Sequence, residues 1–307
     1  MSGKIVVVGS SNTDMIIKTP RIPKPGETVL GGEFSTAAGG KGANQAVAAA
    51  RAGGDVAFIA RVGDDMFGEQ ALEGFRRDGI DTTFVFRDAE APSGVALIFV
   101  DDLGENSIAV ASGANARLLP PDVEAAETAV AESDILLMQL EIPLETVRAA
   151  TDIAKAGSAR IILNPAPAQT LDDDLLGKLS ILTPNESEAE ILTGIPVGNY
   201  KSAGKAAEAL RQRGVETVLV TLGARGVYAV GEEYTGLISG FGVKAVDTTA
   251  AGDVFNGALA VALAESMPLE DAVTFAQAAA ALSVTKLGAQ PSAPTLEEIE
   301  EFLAMNG

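Results

Sequence analysis

Six short runs of nearly unbroken apolar residues punctuate the chain, at 4–9, 56–62, 135–139, 160–164, 181–184 and 218–222. Continuous hydrophobicity, as opposed to alternation, is the mark of strands buried on both faces. Between the runs, Ala and Leu recur at helical spacing over 43–52, 67–78, 144–155, 187–192 and 202–213. Strand and helix taking turns predicts an α/β fold, a three-layer sandwich whose mainly parallel sheet is covered by helices on both faces. Three further helices are predicted at 253–265, 269–283 and 296–305.

Two stretches break the alternation. Residues 13–34 show no helical period, and 93–100 with 106–112 read as a β-hairpin turning at 101–105. In that hairpin Val95, Leu97 and Phe99 share one face, and Ala96, Ile98 and Val100 the other. A hairpin apolar on both faces needs cover on both. This predicts a small accessory sheet that packs over a site on one side and pairs with another subunit on the other. The competing reading is an antiparallel edge of the main sheet.

Composition narrows the chemistry. The chain has 307 residues, of which 47% are apolar, enough for a large core. No apolar run reaches the ~18–20 residues of a membrane span, and the opening residues read as a strand and not as a signal peptide, so a soluble, cytoplasmic protein is expected. With neither Cys nor His, thiolate or imidazole metal sites, cysteine nucleophiles and Ser-His-Asp triads are excluded. Acid–base work must fall to Asp, Glu, Lys or Tyr, and any metal must be a hard cation on oxygen ligands. A net charge of −20 argues against nucleic-acid binding. It leaves phosphate recognition to helix N-termini, backbone amides and a divalent cation.

The residues with chemistry cluster at predicted strand ends and helix starts. Asp247-Thr-Thr-Ala-Ala-Gly-Asp253 runs straight into an apolar helix, which reads either as a simple cap at Asp253 or as a phosphate-binding turn with a carboxylate base beside it. Gly39-Gly-Lys-Gly-Ala-Asn44 opens another helix and matches neither a Walker A loop nor a dinucleotide-binding fingerprint; its glycines suit close backbone approach to a ligand, with Lys41 and Asn44 as polar contacts. Asn12, Asp14 and Glu141 follow strands, where open parallel sheets place ligands, and together suit a molecule rich in hydroxyls. Asn185 and Glu188 fit both a capping box and a water-coordinated Mg²⁺. Thr221-Leu-Gly-Ala-Arg-Gly226 offers glycines against which a flat base could lie, or a plain β-turn.

These motifs, taken in order along nearly the whole chain, resemble the ribokinase-like carbohydrate kinase family. The resemblance implies ATP-dependent phosphorylation of D-ribose at its 5-hydroxyl, with Asp253 as base and the amides of Ala250, Ala251, Gly252 and Asp253 as the anion hole. It implies ribose contacts from Asn12, Asp14, Gly40, Lys41, Asn44 and Glu141. Asn185, Thr221, Gly223, Gly226, Gly252 and Gln277 would line the nucleotide site, where Gln277 departs from the expected His or Asn. Asn185 and Glu188 would serve Mg²⁺, and Asp247, Thr249, Ser283, Lys286, Gly288 and Ser292 would serve K⁺. Residues 13–34 and 92–112 would form a β-lid and homodimer contact, leaving 1–12, 35–91 and 113–307 as the kinase domain. The Asn-x-Asp spacing of Asn12 and Asp14 points to ribose over deoxyribose. Deoxyribose, another pentose or a nucleoside as acceptor, or a non-catalytic sugar sensor, are the alternatives.

Overall fold

The computed structural model describes residues 3–306, so the outermost positions of the expected domain ranges lie outside the described residues. Its strands are β1 (Lys4–Val8), β2 (Asn12–Lys18), β3 (Glu33–Gly39), β4 (Asp55–Gly63), β5 (Val85–Asp88), β6 (Gly94–Val100), β7 (Asn106–Ala111), β8 (Ile135–Met138), β9 (Arg160–Leu163), β10 (Ile181–Leu182), β11 (Thr217–Thr221), β12 (Val227–Val230) and β13 (Thr235–Ile238). Its helices are α1 (Lys41–Arg51), α2 (Met66–Arg77), α3 (Pro120–Glu124), α4 (Glu127–Ala131), α5 (Leu144–Gly157), α6 (Asp173–Leu176), α7 (Glu186–Thr193), α8 (Tyr200–Gln212), α9 (Ala251–Ala264), α10 (Leu269–Ser283) and α11 (Leu296–Asn306).

Among the described residues the main sheet has nine strands in the order β13-β12-β11-β10-β9-β8-β1-β4-β5. From β5 to β11 every pairing is parallel, and β12 and β13 close the far edge antiparallel. Alternate side chains of one strand enter two different cores. Ile5 and Val7 pack with α1, α2, α9, α10 and α11, whereas Val6 and Val8 pack with α3 to α8. That is the three-layer sandwich predicted from continuous apolar strands, each buried Val or Leu contributing roughly 1.5–3 kcal/mol. Among the described residues, no helix is long and apolar enough to cross a membrane.

A second sheet stands apart, ordered β3-β2-β6-β7, so the hairpin β6–β7 is not an edge of the main sheet. β3 takes residues 33–39 into this small sheet, so the expected limit between residues 34 and 35 falls inside a strand. The polar positions Asn12 and Asp14 hid β2 from a reading based on hydrophobicity. Paired residues Asp14, Ala96 and Val110 share one face of the small sheet, while Met15, Leu97 and Ala109 share the other. Apolar groups remain exposed on both faces, among them Ile108 at 55% and Leu97 at 49%.

Two glycine contacts hold the helices that carry the site. A Cβ on Gly42 would lie 2.5 Å from the Ser10 amide nitrogen, so α1 sits directly against the turn that follows β1. A Cβ on Gly257 would lie 2.6 Å from the Gln45 carbonyl oxygen, which lets α1 and α9 pack backbone to backbone.

Candidate active site

The parallel strands end along one edge; the loops beyond them carry Ser10, Gln139, Glu141, Asn164, Thr183 and Asn185, while Asn12 opens β2 and Thr221 ends β11. The N-termini of α1 and α9 open onto the same edge. Asp253, in the first turn of α9, is 5% exposed. Its Oδ2 accepts a hydrogen bond from Asn44 Nδ2 at 3.0 Å, and its Oδ1 accepts one from Gln45 Nε2 at 3.0 Å. Gln45 Oε1 in turn accepts from Gln139 Nε2 at 2.5 Å, which fixes which way the Gln45 amide points. Burial pushes the Asp253 carboxyl up, and this outweighs Lys41, Asn44 and Gln45, which favour the charged form. A carboxyl raised in this way and held by two donors is suited to accept a proton.

Around Asp253 lies a set of groups matched to hydroxyls. Burial, then the carboxylates of Glu141 and Asp253, push Asp14 up to about 6. Glu141 Oε2 accepts from the Ser10 hydroxyl at 2.5 Å and from the Lys41 amide at 2.9 Å. Asn12 Oδ1 accepts from Asn115 Nδ2 at 2.7 Å, which orients the Asn12 amide so that its NH₂ can donate elsewhere. Asn44 Oδ1 is buried without any partner, an acceptor that a hydroxyl donor would satisfy. Gly40 has φ of 89° and caps α1, and a Cβ there would lie 2.6 Å from the Asn12 amide nitrogen. Packing alone therefore requires glycine at Gly40.

Beside these groups a cavity of about 190 Å³ is lined by Lys41, Asn185, Glu188, Thr248 and residues 250–253. Ala250 caps α9 in the left-handed region with φ of 58°, unusual for a residue with a side chain. The Gly252 and Asp253 amides make no hydrogen bond among the described residues, whereas the Ala251 amide reaches the Thr248 carbonyl at 3.3 Å. Two free amides at the start of a 14-residue helix suit an anion. A Cβ on Gly252 would meet nothing within 4 Å, so the space above it is open.

Asn185 and Glu188 form both bonds of a capping box, at 2.8 and 2.9 Å. Asn185 Oδ1 and Glu188 Oε2 are thus engaged, which leaves Glu188 Oε1 as the oxygen that could face a divalent cation or its water. Among the described residues no three acidic groups converge on one point. Burial raises Glu188 in spite of its bond from the Asn185 amide and the nearby Lys41, and a cation beside the carboxylate would favour its charged form. Lys41 is lowered by burial, but Asp253, Glu141 and Glu188 outweigh this and hold its ammonium charged.

Asp247 ties two segments together: its Oδ1 accepts from the Thr249 amide and hydroxyl, and its Oδ2 from the Gly288 amide at 2.9 Å. Burial would raise Asp247, but these donors and Lys18 hold it below the usual range, so it stays ionised. A negative charge between two loops fits a monovalent cation. The Ser283 hydroxyl donates to the Ala280 carbonyl, and the Lys286 ammonium pairs with Glu298 at 2.7 Å. For Lys286, then, a cation contact is left to the main-chain carbonyl.

Thr221, Thr248, Ala251 and Gly252 line both the anion cavity and a second, apolar cavity of about 260 Å³ that also meets Gly223, Gly226, Phe241, Phe255 and Gln277. Gly223 borders open space. Gly226 also lines the cavity, but a Cβ there would lie 2.1 Å from the Ile238 carbonyl oxygen, so the position admits no side chain.

Several site residues escaped the sequence reading: Gln45, Gln139, Asn115, Asn164, Thr183 and Asn256. Asn164 Nδ2 donates to the Thr183 carbonyl, Thr183 Oγ1 to Asn256 Oδ1, and Asn256 Nδ2 to the Gly252 carbonyl, a relay that braces the start of α9. The run Asn44-Gln45 beside three glycines was the available signal.

Comparison with known proteins gives consistent results. The family model described as pfkB family carbohydrate kinase matches residues 2–296. A protein of Haemophilus influenzae named ribokinase is 50% identical over 303 residues, covering 99% of both chains. A protein of Salmonella typhi named deoxyribokinase is 40% identical, covering 98% of this chain and 99% of its own. A solved structure of Arabidopsis thaliana ribokinase complexed with ribose and ATP is 34% identical, has a TM-score of 0.93, and covers 99% of each chain.

Proposed function

The chain belongs to the pfkB family of carbohydrate kinases, and we propose that it transfers the γ-phosphoryl group of ATP to the 5-hydroxyl of D-ribose, giving ribose 5-phosphate and ADP. The observation that carries this reading is the position of Asp253: a buried carboxylate at a helix start whose neighbouring amides are free. The ribose relatives, one of them in a complex with ribose and ATP, support the choice of substrates.

In this reading Asp14, Glu141, Asn12 and Asn44 hold the sugar by its hydroxyls, and the paucity of positive charge around them suits a neutral polyol. Asp253 takes the proton of the 5-hydroxyl as that oxygen attacks phosphorus. The Gly252 and Asp253 amides, with Lys41, receive the charge that develops on the transferring group. Ala251 contributes less, because its amide leans on Thr248. Mg²⁺ beside Glu188 supplies charge neutralisation for the nucleotide phosphates in a site that already holds several carboxylates. K⁺ beside Asp247 supplies a fixed charge that braces the loop leading to α9. The small sheet acts as a lid over the sugar, and its exposed apolar faces meet a second copy of the chain.

Asp253→Asn keeps the shape and loses the base. We expect kcat to fall about 10²–10⁴-fold while ribose affinity, measured by calorimetry, stays within a few-fold. Near-normal turnover in that variant would remove Asp253 from the role of base.

A further inference from the structure

We infer that Asn256 is a positioning residue of the phosphoryl site: it sets the plane of the Gly252–Asp253 peptide and so aims the Asp253 amide at the charge that develops during transfer. The inference rests on the kinase reading above and deepens it.

Asn256 is out of place by composition. Between Asp253 and Glu265 every other residue is Val, Phe, Gly, Ala or Leu. Asparagine is a poor helix former, and burying its amide is costly unless both ends are bonded. Asn256 is 1% exposed, and both ends are bonded. Its Nδ2 donates to the Gly252 carbonyl at 2.8 Å, one turn back on α9, and its Oδ1 accepts from the Thr183 hydroxyl at 2.7 Å. A carbonyl can only accept, so the amide end that faces Gly252 must be the NH₂. Thr183 is held in turn, since its carbonyl accepts from Asn164 Nδ2, and Asn164 Oδ1 accepts from Gln45 Nε2, each at 3.2 Å. Asn256 borders the anion cavity, but with both polar ends engaged it acts through the backbone.

The Gly252 carbonyl and the Asp253 amide are opposite ends of one planar peptide, so whatever holds the oxygen also aims the N–H. This peptide needs a hold. It lies in the first turn of α9, where amides have no intrahelical acceptor, and it follows a glycine, so no side chain at 252 limits its rotation. An amide free to swing must be ordered during the reaction, whereas one already aimed stabilises the transition state without reorganisation.

Steady-state kinetics with ATP and ribose test this, paired with binding of ADP alone and of ADP with aluminium fluoride and ribose. In Asn256→Leu, which keeps the side-chain shape, kcat should fall about 10–100-fold, less than the loss of a whole donor would cause. Affinity for ADP with aluminium fluoride and ribose should fall by about the same factor, while KM for ribose and Kd for ADP alone stay within about threefold. Thr183→Val, which removes the hydroxyl and keeps the shape, should show the same split to a smaller degree, and Thr183→Ser should recover most of the lost kcat. Should Asn256→Leu be poorly folded by circular dichroism, the Thr183 pair decides. Parental kcat in a folded Asn256→Leu or Thr183→Val protein, or ADP affinity that falls as far as kcat, overturns the inference and leaves the kinase reading intact. A parent protein that forms no ADP from ATP and ribose contradicts both.

Discussion

Asp14 carries an ionisation that bears on folding and, if it holds the sugar as proposed, on ribose capture. Its carboxyl is pushed up to about 6 by burial and by Glu141 and Asp253. As pH falls through about 6 the group takes a proton and loses an acceptor for sugar hydroxyls, so kcat/KM for ribose should decline on the acid side with a midpoint there. The sign for stability is opposite. A carboxyl whose folded value lies above its unfolded value of 3.8 opposes folding when ionised, fully above about pH 6 and not at all once pH drops below 3.8. Asp14→Asn should therefore raise the Tm at pH 8, give no gain near pH 3.5, and lower kcat/KM for ribose about 10–100-fold. A Tm gain equal at both pH values would show that the charge is not its source. Gln45 and Gln139 make the complementary point. Both are fully buried, and Gln139 orients the Gln45 amide, which in turn orients the Asp253 carboxylate.

At the level of elements, most of the central sheet was legible because β1, β4, β8, β9 and β11 are apolar on both faces. β10 is only Ile181–Leu182, and β12 and β13 were not read, since each is only four residues long and β13 is a half-covered edge strand. The site was legible where chemistry and backbone geometry coincide, as at Gly39–Asn44 and Asp247–Asp253. It was not legible where amides meet across the chain: Gln45 and Asp253 are 208 positions apart, and a glutamine inside a helix has no local signature. The loop joining Asp247 to α9 yields a prediction of its own. Asp247 links it to Gly288 and to Val284, whose carbonyl accepts from the Val246 and Asp247 amides. If a monovalent cation completes that brace, K⁺ in place of Na⁺ at equal ionic strength should raise kcat about 5–150-fold, and Asp247→Ala should abolish the difference. Equal rates in the two salts would rule the cation out as an activator.

For the whole molecule, the question is how a neutral sugar and a polyanion share one edge of a protein with net charge −20. In the proposed reading the carboxylates Asp14 and Glu141 hold the neutral sugar and the free amides at the start of α9 hold the phosphates, so that the two ligands would meet at Asp253. The small four-stranded sheet leaves apolar groups exposed on both faces. Ile108→Glu, placed on a residue 55% exposed, should turn a dimer into a monomer in sedimentation experiments and weaken ribose binding, without unfolding the chain. A parent protein that sediments as a monomer would exclude lid pairing. The acceptor is the point on which everything else turns, because relatives named for ribose and for deoxyribose are both similar to this chain. The most direct measurement is ADP formation from ATP with ribose, 2-deoxyribose, other pentoses and nucleosides, with the product examined by phosphorus NMR. The expected result is ribose 5-phosphate, with kcat/KM for ribose at least about 10-fold above 2-deoxyribose. Higher efficiency on 2-deoxyribose or on a nucleoside, or binding of ribose with no ADP formed, would contradict it.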